Sequence, residues 1–361
     1  MKKGGTTLIA LHVVTILFGA LAISKAQQQA PPAIFVFGDG ALDVGNNNYL
    51  EPTEASDPIR ANHSYYGIDF PNSKATGRFS NGYNMADFIA KTMGFKISPP
   101  AYLSLAHATR SVNVFTGMNY ASAGAGIWNI TNDDGVSIHL LKQVDYFAAT
   151  IAKMESKLGR NNLRKLLSKS LFLLSIGTID LFRIWDLQES GLSDDNHQTD
   201  VNHLITSYGT AIEALYSMGA RKFAVINAPP VGSTPEVAQH FNGDTLNKLA
   251  VEFNNGLKPL LAGLRFKLGG LRYSIGDFYG FSNATFTNPS AAGFVNINSA
   301  CCNGHCDARV GPPPCKNRKQ YWFWDQSFTT EQAAKLAAAA FYNGPVKFTL
   351  PVNFKKLVYG K

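Results

Sequence analysis

The sequence predicts a single three-layer αβα domain, in which helices cover both faces of a doubly wound, mainly parallel sheet. Short apolar segments alternate along the chain with longer amphipathic segments, and several of the apolar segments run into glycine, aspartate or proline. Continuous apolar strands of this kind are typical of a parallel sheet that is buried on both faces. Sheets of this class bind their ligands at the carboxyl ends of the strands.

The composition supports a globular domain. The 361 residues are 45% hydrophobic and 16% charged, which provides a full apolar core and too few charges for a disordered chain. Four cysteines are too few to hold a chain of this length together as a disulfide scaffold. Because no repeat or change in composition divides the chain, we expect one domain over residues 27–361.

Four short apolar segments predict the buried strands. The first has the sequence AIFVF and is followed by Gly38-Asp39-Gly40, and the third ends before Pro229-Pro230. Glycine and proline favour turns, so both endings mark the carboxyl end of a strand. The predicted strands are residues 33–37, 171–176, 222–227 and 271–275.

Amphipathic segments between these strands predict helices. Within residues 201–217, Val201, Leu204 and Tyr208 recur at helical spacing, and Gly219 follows as a stop signal. The predicted helices are residues 84–93, 140–157, 201–217, 245–266 and 330–342.

Two polar stretches are predicted to lie at the surface. Residues 186–200 are polar and acidic without periodicity, which predicts a loop. A basic cluster is most simply the solvated face of helices, with a binding patch as the alternative. The cluster consists of Lys153, Lys157, Arg160, Arg164 and Lys165.

Residues 1–26 predict a secretory signal peptide. Lys2 and Lys3 form its positive start, an apolar stretch covers residues 8–22, and Ser24 and Ala26 supply small residues at the cleavage site. A membrane anchor is the alternative, but the stretch is shorter than the roughly 20 apolar residues that span a bilayer. We therefore expect a secreted protein, extracellular or in the cell wall, without a membrane span.

Removal of this leader leaves a mildly basic chain. The formal net charge falls from +8 to +5, because the leader contains three lysines and no acidic residue. A charge of this size on the remaining domain does not indicate binding to nucleic acid.

All four cysteines lie in one short segment. An oxidising compartment favours disulfides among them, and the sequence leaves their pairing open. A zinc knuckle is the alternative, but two adjacent cysteines are poorly spaced for tetrahedral coordination, so we expect no metal. The four residues are Cys301, Cys302, Cys306 and Cys315.

Three N-x-S/T sequons mark candidate N-glycosylation sites and hence candidate surface positions. They begin at Asn62, Asn129 and Asn283. Each match is weak by itself, because the pattern is common by chance.

Five sequence blocks occur in order along most of the chain. They are FGDGALDVGNNN at residues 37–48, TGRFSNG at 76–82, GMNYASAG at 117–124, NAPPVG at 227–232, and the cysteine segment with FWD at 300–325. Together they resemble the signatures of the plant GDSL esterase/lipase family, which belongs to the SGNH hydrolase superfamily. Five matches in the same order exclude chance similarity.

The resemblance implies an SGNH hydrolase-like fold with flavodoxin-like strand order, and an acyl-transfer site that needs no cofactor. A serine after the first strand is the nucleophile, and the Asp and His of a D-x-x-H pair act as orienter and base. The oxyanion hole uses the N–H of the nucleophile, a glycine that corresponds to Gly124, and the asparagine of a G-x-N-D block. A hydroxyl is a weak nucleophile without a base, and the oxyanion needs preorganised donors.

This sequence departs from the family pattern at the positions that perform the chemistry. Gly40 stands in place of the serine, Ile179 in place of the asparagine and Phe328 in place of the histidine. Asp325 and Gly124 are retained. In serine hydrolases, loss of the nucleophile or the base alone lowers turnover by about 10⁶. The sequence therefore predicts a catalytically inactive member of the family.

The degenerate site is expected to be apolar, either as a cleft for a small apolar ligand or acyl ester or as a plugged pocket. Two other functions remain open, namely an active carboxylester hydrolase with a displaced nucleophile and a protein-interaction module in a secreted complex. His305 is the only histidine near Asp325 in sequence, and we expect it to be a loop or structural residue. Ser327 is expected to cap the helix that follows Thr329.

Overall fold

The sheet at the centre of the molecule is mainly parallel. The computed structural model describes residues 30–108, 113–131, 136–191, 197–304 and 306–360, so the predicted signal peptide and His305 lie outside the described residues. The strands are β1 (Ile34–Gly38), β2 (Gly117–Asn119), β3 (Leu171–Ser175), β4 (Lys222–Ile226), β5 (Arg272–Gly276), β6 (Asn296–Ala300), β7 (Tyr321–Phe323) and β8 (Thr349–Leu350).

The strand order confirms the predicted doubly wound topology. The central sheet runs β2-β1-β3-β4-β5-β8. Strands β1 to β5 pair in parallel, and β8 adds an antiparallel edge. The order β2-β1-β3-β4-β5 is flavodoxin-like and reverses direction between β1 and β3, which is where such folds bind ligands.

All four predicted strands are present to within one residue at each end. Their apolar runs made them visible in the sequence, since every residue of β1 is buried. Strand β2 was not predicted because it contains only the three residues GMN and has no apolar run of its own.

Helices cover both faces of the sheet. They are α1 (Met85–Thr92), α2 (Leu140–Leu158), α3 (Arg160–Lys169), α4 (Thr178–Glu189), α5 (His197–Ser217), α6 (Pro235–His240), α7 (Gly243–Lys267), α8 (Phe278–Thr287), α9 (Glu331–Asn343) and α10 (Phe354–Tyr359). The five predicted helices correspond to α1, α2, α5, α7 and α9.

Alternating side chains of β1 show the three layers directly. Phe35 and Phe37 pack into a core cluster shared with α2, α3, α5 and α7. Ile34 and Val36 pack into a second cluster, shared with α1, α9 and α10. Successive residues of a strand point to opposite faces of its sheet, so each cluster lies between the sheet and one helix layer.

The predicted loop at residues 186–200 is wrong at both ends. Helix α4 continues to Glu189 and helix α5 begins at His197, while residues 192–196 lie outside the described part of the chain. The polar residues of this stretch belong to the end of α4 and the start of α5. Asp200 lies in the first turn of α5, where the helix dipole favours an acidic residue. Gln188 also donates a hydrogen bond to Asp200 across the connection, at 3.2 Å.

The cysteine segment attaches a second, two-stranded sheet of β6 and β7 to the domain. Its disulfides are Cys301–Cys315 and Cys302–Cys306. These bonds use all four sulfurs and leave none for the zinc alternative. The N–H of Cys302 donates to the carbonyl of Trp324 at 2.7 Å, so the disulfide segment holds the chain just before Asp325.

The basic cluster and the sequons lie at the surface of the protein. The residues of the basic cluster are exposed on α2 and α3, and the sequon residues Asn62, Asn129 and Asn283 are exposed. Among the described residues, no helix combines the length and the apolar character that crossing a membrane requires.

Candidate functional site

The sheet topology brings Gly40, Gly124, Ile179 and Phe328 together around one cavity. Gly40 follows β1, Gly124 follows β2, and Ile179 lies in the first turn of α4 after β3. Phe328 reaches the same place from the segment after β7. All four line a cavity of about 230 Å³ at the carboxyl ends of the strands, as the fold class predicts.

The ring of Phe328 occupies the space beside Gly40. A Cβ at position 40 would lie 2.5 Å from Cζ and 2.7 Å from Cε1 of this ring. It would also lie 3.3 Å from Cβ of Ala123. Carbon atoms do not approach to 2.5 Å without a shift of one group. The two substitutions are therefore sterically coupled, because the Phe328 ring fits as placed only above a residue without a side chain.

Packing and hydrogen bonding hold Phe328 in this position. Its ring lies against Phe79, with ring centroids 4.8 Å apart. Its N–H donates to Oδ1 of Asp325 at 2.6 Å, and its carbonyl accepts from the N–H of Trp324 at 2.8 Å. The ring is thus part of the local packing.

The carboxyl group of Asp325 accepts hydrogen bonds from one side chain and from two backbone N–H groups. It is buried and does not line the cavity. Its Oδ1 accepts from the N–H groups of Ser327 and Phe328, and its Oδ2 accepts from the hydroxyl of Tyr66 at 2.8 Å. Burial raises the pKa of the Asp325 carboxyl. Tyr66 therefore supplies the hydrogen bond that this buried carboxyl needs.

Ser327 does not cap the following helix. It is exposed, and its N–H is turned toward Asp325. Helix α9 is capped by Thr330, whose side chain accepts from the N–H of Ala333. The prediction for Ser327 was wrong because the chain makes a turn around Asp325 before the helix begins.

Ile179 places a hydrocarbon where the resemblance implies an oxyanion donor. The next residue, Asp180, is buried and organises the neighbouring loop. It accepts from the N–H groups of Ile127 and Trp128, and from the hydroxyl of Thr131. Burial raises the pKa of Asp180 to about 6. Asp180 therefore holds this loop in place, and its neighbour Ile179 presents only hydrocarbon to the cavity.

The cavity wall is mostly apolar and contains one ionisable residue, Asp39. No histidine, lysine or arginine of the described residues lines it. Oδ1 of Asp39 accepts from the N–H of Ala41 at 3.1 Å. Burial raises the pKa of Asp39 to about 7, and the nearby carboxylates of Asp180 and Asp43 add to this. Sequence analysis missed Asp39 as a cavity residue, although its position directly after a buried strand was the available signal.

A histidine does lie near Asp325, but outside the cavity. The ring of His63 contacts the ring of Tyr66 edge-on at 5.1 Å, and its Nδ1 is 3.7 Å from Oδ2 of Asp307. The neighbouring Ser64 hydroxyl donates to Asp307 and accepts from Ala308. Because that hydroxyl is engaged with residues 307 and 308 and not with His63, this group does not form a nucleophile–base pair.

Comparison with known proteins agrees with this geometry. A family model described as GDSL-like Lipase/Acylhydrolase matches residues 34–341. The GDSL esterase/lipase LTL1 of Arabidopsis thaliana is 34% identical over 341 residues, which cover 91% of each chain. GDSL esterase/lipase At5g55050 of the same plant is 33% identical over 94% of this chain and 93% of its own. GDSL esterase/lipase 7 is 32% identical over 97% and 98%.

Proposed function

The chain belongs to the GDSL-like lipase/acylhydrolase family, and we propose that it is a secreted member that has lost serine esterase chemistry and binds an apolar ligand in the former active site. The observation that carries the proposal is the Phe328 ring in the space that a side chain at position 40 would need. Gly40 supplies no nucleophile and Phe328 supplies no base at the positions that the family pattern assigns to them, and in serine hydrolases loss of either group alone lowers turnover by about 10⁶.

The remaining parts of the site support the same conclusion. Residual catalysis in triad-deficient hydrolases comes mainly from the oxyanion hole. Ile179 removes a side-chain donor from it, and loss of one such donor costs about 10²–10³ in turnover. The cavity is nevertheless open, with apolar walls, and so is suited to holding a ligand that is not hydrolysed.

Two measurements on the purified protein test the loss of activity. We expect no turnover of short- and medium-chain p-nitrophenyl esters above the buffer rate, and no covalent labelling by a fluorophosphonate probe. The matched control is the triple variant G40S/I179N/F328H, which restores the residue types that the family uses. We expect this variant to be labelled at position 40.

Other outcomes would point to the alternative functions. Turnover that a serine-directed inhibitor abolishes, with the label mapped to a cavity hydroxyl such as Ser80, Ser175 or Ser327, would establish a displaced nucleophile. A secreted protein that co-purifies equally with the native chain and with the variants I179A and F328A would favour an interaction module independent of the cavity.

A further inference from the structure

The cavity extends well beyond the former catalytic positions. At its outer end it is lined by Ile59, of which 55% is exposed. At its inner end it is lined by Trp322 and Ala334, which are 1% and 3% exposed. Met85 of α1 and Phe286 of α8 complete this inner end. The cavity therefore leads from the surface at the carboxyl edge of the sheet into the helix layer formed by α1, α8 and α9.

The shape and lining of the inner end suit one narrow apolar chain. Pockets for drug-sized ligands usually measure about 300–1,000 Å³, and this cavity is smaller, at about 230 Å³. Its inner residues belong to the apolar core on that side of the sheet. An unbranched alkyl chain gains free energy with each methylene that it buries there.

The charge of the wall restricts the polar end of such a ligand. Asp39 is the single ionisable residue among the described residues of the wall, and Asp43 and Asp180 lie close enough to act on its charge. A carboxylate in the cavity would find no lysine, arginine or histidine of the described residues as a partner. Burying an unpaired carboxylate beside another acid is strongly unfavourable.

We propose that the cavity selects a single-chain lipid with an uncharged oxygen head group, such as a long-chain alcohol, over the corresponding fatty-acid anion. The alkyl chain lies between α1, α8 and α9 with its end near Trp322, and the head group lies beside Asp39. This inference rests on the proposed function, because it requires a ligand that stays bound without being cleaved.

Head-group selection is tested by binding dodecanol and dodecanoate to the purified protein at about pH 8, below the solubility limit of dodecanol and the micelle-forming concentration of dodecanoate. We expect dodecanol to bind at least about tenfold more tightly, which corresponds to about 1.4 kcal/mol. In the variant D39N we expect the ratio to fall, because one of the negative charges that disfavour the anion is removed. Equal affinity of the native protein for both compounds, or no binding of dodecanol, would overturn the proposal.

The position of the chain is tested through the fluorescence of Trp322. Dodecanol brominated at its terminal carbon is expected to quench this tryptophan, and the variant W322F is expected to lose most of that quenching. Trp128, Trp185 and Trp324 remain in the variant and report any quenching elsewhere. Quenching that persists unchanged in W322F would place the chain outside the inner end and overturn the assignment.

The variant F286A provides a second test of the chain position, which does not depend on whether W322F folds. F286A shortens a partly buried side chain at the inner end, so we expect its preference to shift toward longer alcohols while dodecanol still binds. An unchanged chain-length preference would contradict the assignment. These outcomes are independent of the esterase test. Ester turnover or fluorophosphonate labelling would refute the proposed function, whether or not the protein binds dodecanol.

Discussion

Gly40 and Asp43 belong to one sequence block and lie on the same turn after β1, but the surroundings of the two positions differ completely. Asp43 is buried and accepts hydrogen bonds from the N–H groups of Gly45, Asn46 and Ala123. Gly40 lies beneath a hydrocarbon ring in an apolar cavity. One end of the block is a connected polar network, and the other is a glycine that faces an apolar ring.

The network around Asp43 extends through several of the other blocks. Asn46 donates to the carbonyls of Asn119 and Ala121, which ties the turn after β1 to β2 and the residues that follow it. Arg78 makes two hydrogen bonds to Asp87 inside the protein, at 2.7 and 2.9 Å. We call Asp43, Asn46, Asn47, Arg78 and Asp87 the frame network.

The difference shows that the two roles of these motifs are physically separable. Each member of the frame network is a buried polar group whose partner is also buried, so removal of one leaves another unsatisfied. The side chains at positions 40, 179 and 328 have no hydrogen-bonding groups, so they leave no partner unsatisfied. The hydrogen bonds of the frame network therefore do not depend on the side chains at positions 40, 179 and 328.

The largest expected effect comes from breaking the frame network with R78M. This change leaves the buried Asp87 carboxylate without its cation, and we expect the free energy of unfolding to fall by about 3–5 kcal/mol. Urea denaturation measures the loss. The matched control is R160M, which breaks the exposed pair between Arg160 and Glu155 and should cost less than about 1 kcal/mol. Similar losses in both variants would contradict a special role for the frame network.

The next largest effect is expected when I179N is added to the double variant G40S/F328H. The added amide is a candidate oxyanion donor, and we expect ester turnover to rise by about 10²–10³ over the double variant. I97N in the same background is the control, because Ile97 is partly exposed and does not line the cavity. If I179N does not raise ester turnover, the amide that it introduces does not act as an oxyanion donor.

A smaller effect is expected from G40S alone. Its side chain would overlap the Phe328 ring, and such overpacking costs about 1–3 kcal/mol of stability, measured by urea denaturation. In an F328A background this loss should largely disappear, so that G40S/F328A and F328A should have nearly the same free energy of unfolding. G263S is the control, because a Cβ at Gly263 meets nothing within 4 Å. An equal cost of G40S in both backgrounds would mean that Phe328 is not the obstruction.

The smallest effect concerns how steeply the free energy of unfolding changes with pH. Burial raises the pKa of Asp39 from 3.8 to about 7. The folded protein therefore keeps this proton at pH values where the unfolded chain has lost it, and the free energy of unfolding falls as pH rises through that interval. D39N should remove up to about 1.4 kcal/mol per pH unit from the slope, measured by urea denaturation from about pH 5 to pH 7. An identical slope in both proteins would show that Asp39 ionises normally.

Much of the fold was predictable because local patterns carry it. The buried strands appear as apolar runs, and α2 and α7 appear as long amphipathic periods. The error at residues 186–200 arose because two polar helix ends with a short connection have no apolar period to detect. Strand β2 was missed for a related reason, since a three-residue strand takes its stability from β1 and not from its own composition.

The candidate site divides in the same way. The blocks by themselves predicted that Gly40, Ile179 and Phe328 depart from the family pattern. That Asp39 is the single ionisable residue among the described residues of the cavity wall could not be predicted, because a wall is assembled from many separate segments.

The amino-acid sequence by itself determined which chemistry positions 40, 179 and 328 can perform, because a hydrogen atom, an isoleucine and a phenylalanine neither attack an ester nor transfer a proton. Only the tertiary structure decided what surrounds these positions. The Phe328 ring above Gly40, the Tyr66 hydroxyl on Asp325 and the inner end of the cavity all join distant parts of the chain. Tyr66 and Asp325, for instance, are 259 residues apart. Contacts of this kind depend on how the helices and strands pack, and no local pattern of residues encodes them.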